Sequence, residues 1–134
     1  MKYALDTNVI VSILHYFPKV CQKFDEAVER GDLIIIPPIV HYEMRRGFLY
    51  KSAPKKEIAY RILTDQYRVG KINEEILERA AKIYADLYHK RFTVGDADIL
   101  IAAFCIINDY TLVTDNIKHF ESIDNLQLVN WNEQ

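Results

Sequence analysis

Short apolar runs alternate along the chain with longer segments whose apolar residues recur every three or four positions. The short runs predict strands, and the longer periodic segments predict amphipathic helices. Strands are predicted at residues 3–5, 33–36, 111–114 and 128–129. Helices are predicted at residues 10–17, 20–30, 39–50, 55–67, 73–87 and 97–107, with a short helical turn at 119–120. This order predicts a three-layer α/β domain, in which a central, mainly parallel β-sheet is flanked by helices.

Three local patterns add detail to this arrangement. Leu33-Ile34-Ile35-Ile36 is a continuous apolar run, which is typical of a strand buried on both faces in a parallel sheet. The segment 97–107 is apolar nearly all round, so its helix is expected at the centre of the fold, with Asp96 as its cap. Ser52 and Pro54 are the cap and first-turn signals of the fourth helix.

The composition is that of one compact domain spanning residues 1–134, since 50% of the residues are hydrophobic and 27% are charged, with only four glycines and four prolines. A disordered tail, a repeat array and several domains are thereby disfavoured. No apolar run reaches the roughly 18 to 20 residues of a membrane span. The N-terminal stretch also lacks the small-residue cleavage site of a signal peptide, so a soluble cytoplasmic protein is expected.

Acidic residues follow several of the predicted strands, at the edge where open parallel sheets bind their ligands. Asp6 follows the first strand, and Asp115 follows the third. Glu43 lies in the helix after the second strand, while Asp96 and Asp98 stand at the start of the all-apolar helix. The sequence therefore predicts that carboxylates gather at one end of the sheet.

Taken alone, each acid has a structural explanation. Those that begin helices could be caps, Glu43 could be a solvated helix residue, and Asp115 could be a turn residue. Together, three or four carboxylates at one edge repel one another unless a divalent cation binds there. Oxygen ligands without a His or Cys partner suit Mg²⁺ or Mn²⁺ rather than zinc.

The two acids of the all-apolar helix are given different roles. Asp96 and Asp98 are about 200° apart around a helix, so they cannot project from the same face. We assign Asp98 as a metal ligand. Asp96 is assigned as the cap, with a contact to the metal through water.

Four segments, in this order, resemble the motifs of the PIN-domain family, and in particular of the VapC-type toxin ribonucleases of toxin–antitoxin pairs. They are Leu5-Asp6-Thr7-Asn8, Tyr42-Glu43-Met44-Arg45-Arg46-Gly47, Asp98-Ile99-Leu100-Ile101-Ala102-Ala103, and Leu112-Val113-Thr114-Asp115-Asn116 followed by His119-Phe120. One such motif is weakly specific, whereas four in the family's order along residues 1–131 are far more specific. The resemblance implies a PIN-like three-layer fold.

The resemblance also implies the roles of individual residues. Asp6, Glu43 and Asp98 match the family's catalytic acids, which are its metal ligands. The small polar residues that support such a site through hydrogen bonds are matched by Thr7, Asn8 and Thr114.

At the fourth acid the chain departs from the family pattern. The family has Asp or Asn two residues after the threonine, a position held here by Asn116, whereas the acid in this chain is Asp115. Either Asp115 is a further metal ligand, or Asn116 supplies a neutral oxygen or holds a water. His119 and Phe120 are expected to be structural, and no histidine is assigned a catalytic role.

The implied activity is endonucleolytic hydrolysis of RNA by water that Mg²⁺ or Mn²⁺ activates, which leaves a 5′-phosphate and a 3′-hydroxyl. Basic side chains must then hold the RNA backbone. The first candidates are Arg45, Arg46, Lys51, Lys55 and Lys56, with Lys90 and Arg91 next. The implied protein partners are a cognate antitoxin and a second copy of the chain in a homodimer. The C-terminal segment of the antitoxin would lie in a groove that exposed residues such as Phe48 and Tyr50 form across the second to fourth helices.

The net charge of −2, from 17 basic and 19 acidic residues, argues against a nucleic-acid binder only when it is taken over the whole molecule. Acids that bind cations reverse the local field where a phosphate must lie. Without divalent metal, the protein is therefore expected to bind RNA poorly.

Two other function classes fit the sequence less well. A haloacid-dehalogenase-like phosphatase needs a second Asp two residues after the first, where this chain has Asn8. A receiver domain needs a phosphoacceptor Asp after a central strand, and here Pro37 and Pro38 follow Ile36. Two alternatives of the same fold stay open: an RNA-processing or DNA-directed PIN nuclease outside a toxin pair, and a catalytically silent interaction module.

Overall fold

A four-stranded sheet organises the fold, and the computed structural model describes it over residues 1–133. The strands are β1 (Lys2–Leu5), β2 (Leu33–Ile35), β3 (Thr111–Val113) and β4 (Leu128–Val129). They are all parallel to their neighbours, in the order β2-β1-β3-β4. The seven helices of the described residues flank this sheet: α1 (Thr7–Leu14), α2 (Pro18–Glu29), α3 (Pro38–Tyr50), α4 (Pro54–Tyr67), α5 (Glu74–His89), α6 (Asp96–Asn108) and α7 (Ile117–Phe120). The predicted three-layer α/β fold with its parallel sheet is confirmed.

β1 is an inner strand that pairs with a neighbouring strand on each side. Tyr3 of β1 pairs with Ile34 of β2 on one side and with Thr111 of β3 on the other. Directly after β1, the Asp6 N–H donates to the Val113 carbonyl of β3 at 3.0 Å. β1 and β3 are thus joined as far as their carboxyl ends, where the polar residues that follow the two strands meet.

The helix that is apolar nearly all round is central, as predicted. The side chains that α6 buries include Ile99, Ile101, Phe104 and Cys105. Against it packs α5, which buries one residue in every three or four: Ile76, Ala80, Ile83 and Leu87. Burial of one stripe on α5 and of nearly all sides of α6 is the physical reason for their different sequence patterns.

Three local predictions are wrong. The run beginning at Leu33 predicted a strand buried on both faces, but β2 is an edge strand of the sheet, and Leu33 is 57% exposed while Ile34 is buried. The cap of α6 is Gly95, whose backbone is extended (φ −66°, ψ 154°), and Asp96 is already the first helical residue. At α4 the cap is likewise Ala53 rather than the predicted Ser52.

Two further predictions concern the extent of the domain and the absence of a membrane span. Residue 134, the end of the predicted domain 1–134, lies outside the described residues, and the assignment of one domain stays a prediction. Among residues 1–133, no helix combines the length and the apolar character that a bilayer crossing requires.

Gly70 makes close contact with the core in the segment after α4. Its N–H donates to the Ile36 carbonyl at 2.8 Å, and a Cβ at this position would overlap the ring of Phe104. Gly70→Ala is therefore expected to lower the free energy of unfolding by about 1–3 kcal/mol, because a buried ring must move. Thermal or urea unfolding of the purified variant measures this loss.

Gly47→Ala is the matched control for that substitution. Gly47 lies within α3, and a Cβ there meets no atom within 4 Å. Because alanine is the better helix former, this variant is expected to be more stable than the parent by up to about 1 kcal/mol. Equal unfolding midpoints for the parent and the Gly70 variant would contradict the packing of Phe104 described above.

Candidate functional site

Asp6 lies at the centre of a hydrogen-bond network at the carboxyl end of β1. It is the N-cap of α1, and its Oδ1 accepts a hydrogen bond from the Thr7 N–H at 2.8 Å. Its Oδ2 accepts from the Thr114 hydroxyl at 2.7 Å and from Asn8 Nδ2 at 3.3 Å. Because Thr114 directly follows β3, the carboxylate of Asp6 is held from both strands. The structure thus brings Asp6 together with the three polar residues predicted to support it.

Burial and nearby negative charge raise the pKa of Asp6 above its usual range. Desolvation is the largest cause, and the charges of Asp98 and Glu43 add to it, while the hydrogen bonds from Thr114 and Thr7 act in the opposite direction. Asp98 and Glu43, which are far from Asp6 in the sequence, therefore each lie close enough to Asp6 for their charges to act on it. We call Asp6, Glu43 and Asp98 the acidic cluster.

Glu43 reaches the acidic cluster from α3, in the turn of helix that faces α1. The Thr7 hydroxyl donates a hydrogen bond to Glu43 Oε1 at 2.8 Å. Since the backbone N–H of the same threonine donates to Asp6, one residue connects two acids of the cluster. Thr7 thereby fixes the side chain of Glu43 relative to the end of β1.

The first turn of α6 presents two acids, Asp96 and Asp98. Asp98 Oδ2 lies 3.5 Å from His119 Nδ1 of α7. The sequence did not reveal this contact, because nothing in the spacing of the two residues indicates that α7 packs against α6; the available signal was that His119 follows β3 closely, at the same edge of the sheet. Asp96 is exposed, and its contact with a metal through water stays a prediction.

The residues after β3 distinguish the two candidates for a fourth ligand. The Asp115 N–H donates to Asn8 Oδ1 at 3.1 Å, and the Asn116 N–H donates to the Thr114 hydroxyl oxygen at 3.0 Å. Asp115 Oδ1 is buried without a hydrogen-bond partner among the described residues, and burial alone raises the pKa of this carboxyl. The backbone N–H groups of Asp115 and Asn116 thus both support the side chains that surround Asp6.

The chemistry of the acidic cluster fits a hard divalent cation. Its donor atoms are carboxylate oxygens, the ligands that Mg²⁺ and Mn²⁺ prefer. Over residues 1–133, no three His, Cys, Asp or Glu side chains stand close enough to form a ready metal site. Asp6 is buried and fixed, whereas Glu43 and Asp98 are only half-buried. Asp6, Glu43 and Asp98 are the residues that would hold the cation.

An apolar groove of about 330 Å³ adjoins the acidic cluster on the Glu43 side. It is formed by α1, α3 and the start of α4. Of the groove predicted across the second to fourth helices, α3, α4 and Phe48 take part, whereas α2 and Tyr50 do not. The residues that line it include Thr7, Glu43, Met44, Phe48, Lys51 and Lys56. Two residues of the site thus form part of an otherwise largely apolar surface.

The five basic residues predicted to hold RNA have different surroundings. Arg45 lies 3.6 Å from Glu57 in an ion pair, and the guanidinium of Arg46 lies 5.1 Å from the ring centroid of Tyr42. The three lysines are exposed: Lys51, Lys55 and Lys56. RNA binding by this stretch stays a prediction.

Known proteins are similar to this chain in sequence and in structure. A family profile described as "PIN domain" matches residues 3–126. Ribonuclease VapC2 of Rickettsia felis is 32% identical, over 99% of this chain and 100% of that protein. Ribonuclease VapC1 of Methanocaldococcus jannaschii is 34% identical, over 91% of this chain and 81% of that protein. The solved structure of VapBC2 from Rickettsia felis bound to a DNA fragment from their promoter matches with a TM-score of 0.89 at 28% identity, over 98% of this chain and 100% of the matched one.

Proposed function

This chain belongs to the PIN-domain family, in its VapC-type branch, and on that basis we propose that it is a metal-dependent endoribonuclease, the toxin of a toxin–antitoxin pair. The observation that carries the proposal is the acidic cluster, in which Thr7 connects Glu43 with Asp6 and Thr114 holds Asp6 at the carboxyl end of β1. Relatives that align along most of the chain are named ribonucleases, which supports RNA as the substrate.

The metal ligands in this proposal are the three carboxylates of the acidic cluster. The chemistry that Mg²⁺ or Mn²⁺ supplies at such a site is activation of water at neutral pH and compensation of the negative charge that grows on the phosphate. Thr114 and Asn8 orient the Asp6 carboxylate, and Thr7 holds Glu43. Oriented ligands are needed because the attacking water must lie in line with the bond that breaks.

Asp115 and Asn116 have structural roles in this proposal. Their N–H groups hold the side chains of Asn8 and Thr114, which in turn hold Asp6. Neither residue then needs to contact the metal, and the raised pKa of Asp115 reflects its burial. Asp96 is proposed to act on the metal only through water.

The proposed protein partner is a cognate antitoxin that acts on the toxin in the cytoplasm. A segment of the antitoxin in the apolar groove would cover Thr7 and Glu43, because both residues line that groove. The apolar walls of the groove suit an amphipathic segment, because burial of its apolar face would supply the affinity of the antitoxin for the toxin. Such a segment would block the acidic cluster without changing the fold. A homodimer is proposed from the family resemblance alone.

Cleavage of RNA by the purified protein tests the proposed function. We expect mixed-sequence single-stranded RNA to be cut in the presence of Mg²⁺ or Mn²⁺, and cutting to stop when EDTA removes the metal. Attack by water predicts fragments with a 5′-phosphate and a 3′-hydroxyl. End-specific ligation of the fragments distinguishes these ends from the cyclic phosphates that attack by the RNA 2′-hydroxyl would leave.

Metal binding can be followed separately from cleavage. A ligand that binds only the folded state stabilises it by about 2.7 kcal/mol at 100 times its Kd, so the melting temperature should rise as Mg²⁺ or Mn²⁺ is added. NaCl at matched ionic strength is the control, because salt alone weakens the repulsion between the carboxylates of the acidic cluster. Cleavage that persists in EDTA would contradict the metal-dependent mechanism, and metal stabilisation without RNA cleavage would contradict the ribonuclease assignment alone.

A further inference from the structure

A second surface adjoins the acidic cluster on its Asp98 side. In the described part of the chain, three adjoining cavities of about 250, 110 and 550 Å³ follow the loop between α5 and α6. Asp98 lines the first cavity, and Phe92 and Thr93 line all three. We call the surface formed by Tyr88, Arg91, Phe92, Thr93, Lys118 and His119 the Phe92 surface. It leads from the acidic cluster to the end of α5.

The two cations of the Phe92 surface are available to bind an anion. Within residues 1–133, neither Lys118 nor Arg91 forms an ion pair. By contrast, the neighbouring Lys90 lies 3.0 Å from each of two aspartates, Asp86 and Asp124. A cation whose charge is already paired gains less from a phosphate than one whose charge is not.

The aromatic side chains of this surface face solvent. Phe92 is 53% exposed and Tyr88 is 69% exposed. Exposed rings beside free cations are the combination that single-stranded nucleic acids bind, because bases stack on the rings and phosphates contact the cations. The cavities around Phe92 provide room beside its ring.

We propose that the Phe92 surface binds the single-stranded RNA next to the phosphate that is cleaved, with a base stacked on Phe92 and backbone phosphates held by Lys118 and Arg91. The inference rests on the proposed function, which it extends by giving the path of the substrate. The main support for the proposal is that the acidic cluster and the Phe92 surface are continuous, since Asp98 belongs to the cluster and also lines the first cavity. A strand leaving the cluster on this side enters the Phe92 surface directly.

The path differs from the one that the first candidates in the sequence, residues 45–56, predict, and it includes Arg91 from the second set of candidates. Arg45 of the basic stretch is paired with Glu57, and two of its lysines line the apolar groove assigned to the antitoxin. RNA on the Phe92 surface leaves that groove free. Substrate and antitoxin would then meet only at the acidic cluster.

Equilibrium binding of a cleavage-resistant RNA to the chain with its native acidic cluster tests the proposal. With Mg²⁺ present, the probe is a short fluorescein-labelled single-stranded RNA of mixed sequence whose phosphorothioate linkages resist hydrolysis, followed by anisotropy. Adding Phe92→Ala is expected to weaken binding at least about fivefold through the loss of stacking, and Phe92→Tyr to retain it. Adding Lys118→Gln is expected to reduce the slope of log K against log salt by about 0.7.

Matched variants outside the surface control for exposure and charge. Phe17 is 51% exposed, and Lys23 lines a different cavity, so Phe17→Ala and Lys23→Gln should leave RNA binding within about twofold of the parent. The melting temperature of every variant shows that it is folded. Equal losses in the controls, unchanged binding in the Phe92 and Lys118 variants, or no measurable RNA binding by the parent would each overturn the proposal.

Failure of this inference can be distinguished from failure of the proposed function. Anisotropy reports RNA binding without cleavage, whereas the ribonuclease assay on the native chain reports the reaction. If the native chain cuts RNA and the Phe92 and Lys118 variants bind like the parent, the RNA follows another path. If those variants lose binding while the native chain leaves RNA intact, the ribonuclease assignment is wrong and the RNA surface is retained.

Discussion

Asp6→Asn is expected to lower RNA cleavage by at least about 1000-fold while the protein stays folded. Removing one carboxylate from the acidic cluster removes negative charge that holds the metal. A metal of this kind lowers the activation free energy by several kcal/mol, and each 1.36 kcal/mol corresponds to a tenfold change in rate. Asparagine has nearly the same shape and is an equally good N-cap, so α1 keeps its first turn. Initial rates at saturating Mg²⁺ and a melting curve measure the two effects.

Two further variants complete that experiment: one changes a second acid of the cluster, and the other changes an acid outside it. Asp98→Asn should behave like the Asp6 variant, since both charges belong to the cluster. Asp65→Asn, in α4, removes one exposed carboxylate elsewhere and should cleave at the parent rate. The decisive result is the double variant: cleavage at the parent rate with Asn at positions 6 and 98 would disprove the metal site.

Phe120→Ala is expected to lower the free energy of unfolding by about 3–5 kcal/mol, and the melting temperature by on the order of 10–20 °C. Phe120 ends α7, and its side chain is only 1% exposed. Truncation leaves a cavity beside α6, which carries Asp98. Loss of RNA cleavage is expected as well, at temperatures where the variant is partly unfolded. Differential scanning calorimetry measures the stability change directly.

Two comparisons show whether the loss comes from the cavity. Phe120→Leu keeps most of the buried volume and should cost less than half as much as the alanine variant. Phe92→Ala truncates a half-exposed ring and should change stability by roughly 0.5 kcal/mol or less. A melting temperature for Phe120→Ala close to that of the Phe92 variant would show that α7 contributes little to the fold.

Much of the fold could be predicted because burial leaves a periodic signal in the sequence. α6 is apolar on nearly every side and is buried, and α5 shows a single stripe and buries that stripe. The placement of Asp6 was also within reach of the sequence, because a polar residue directly after a strand of a parallel sheet must lie at its carboxyl edge.

The predictions that were wrong or missing concern contacts between helices and strands, and local sequence patterns carry no information on such contacts. An apolar run shows that a strand is compatible with burial, but not that a neighbour covers it, and Leu33 at the sheet edge has no such cover. Gly95 takes the cap position from Asp96, because the choice between two capping residues depends on the direction from which the loop enters the helix. The pairing of Arg45 with Glu57 and the contact of His119 with Asp98 each join separate helices.

The hydrogen bond between Asp6 and Thr114 joins residues 108 positions apart, and it makes the site depend on the pairing of two strands. Asp6 follows β1 and Thr114 follows β3, and these strands are neighbours in the sheet. Any local unfolding that separates β1 from β3 therefore removes this hydrogen bond from the Asp6 carboxylate, even where the helices stay formed. The site is thus only as stable as the contact between the two inner strands.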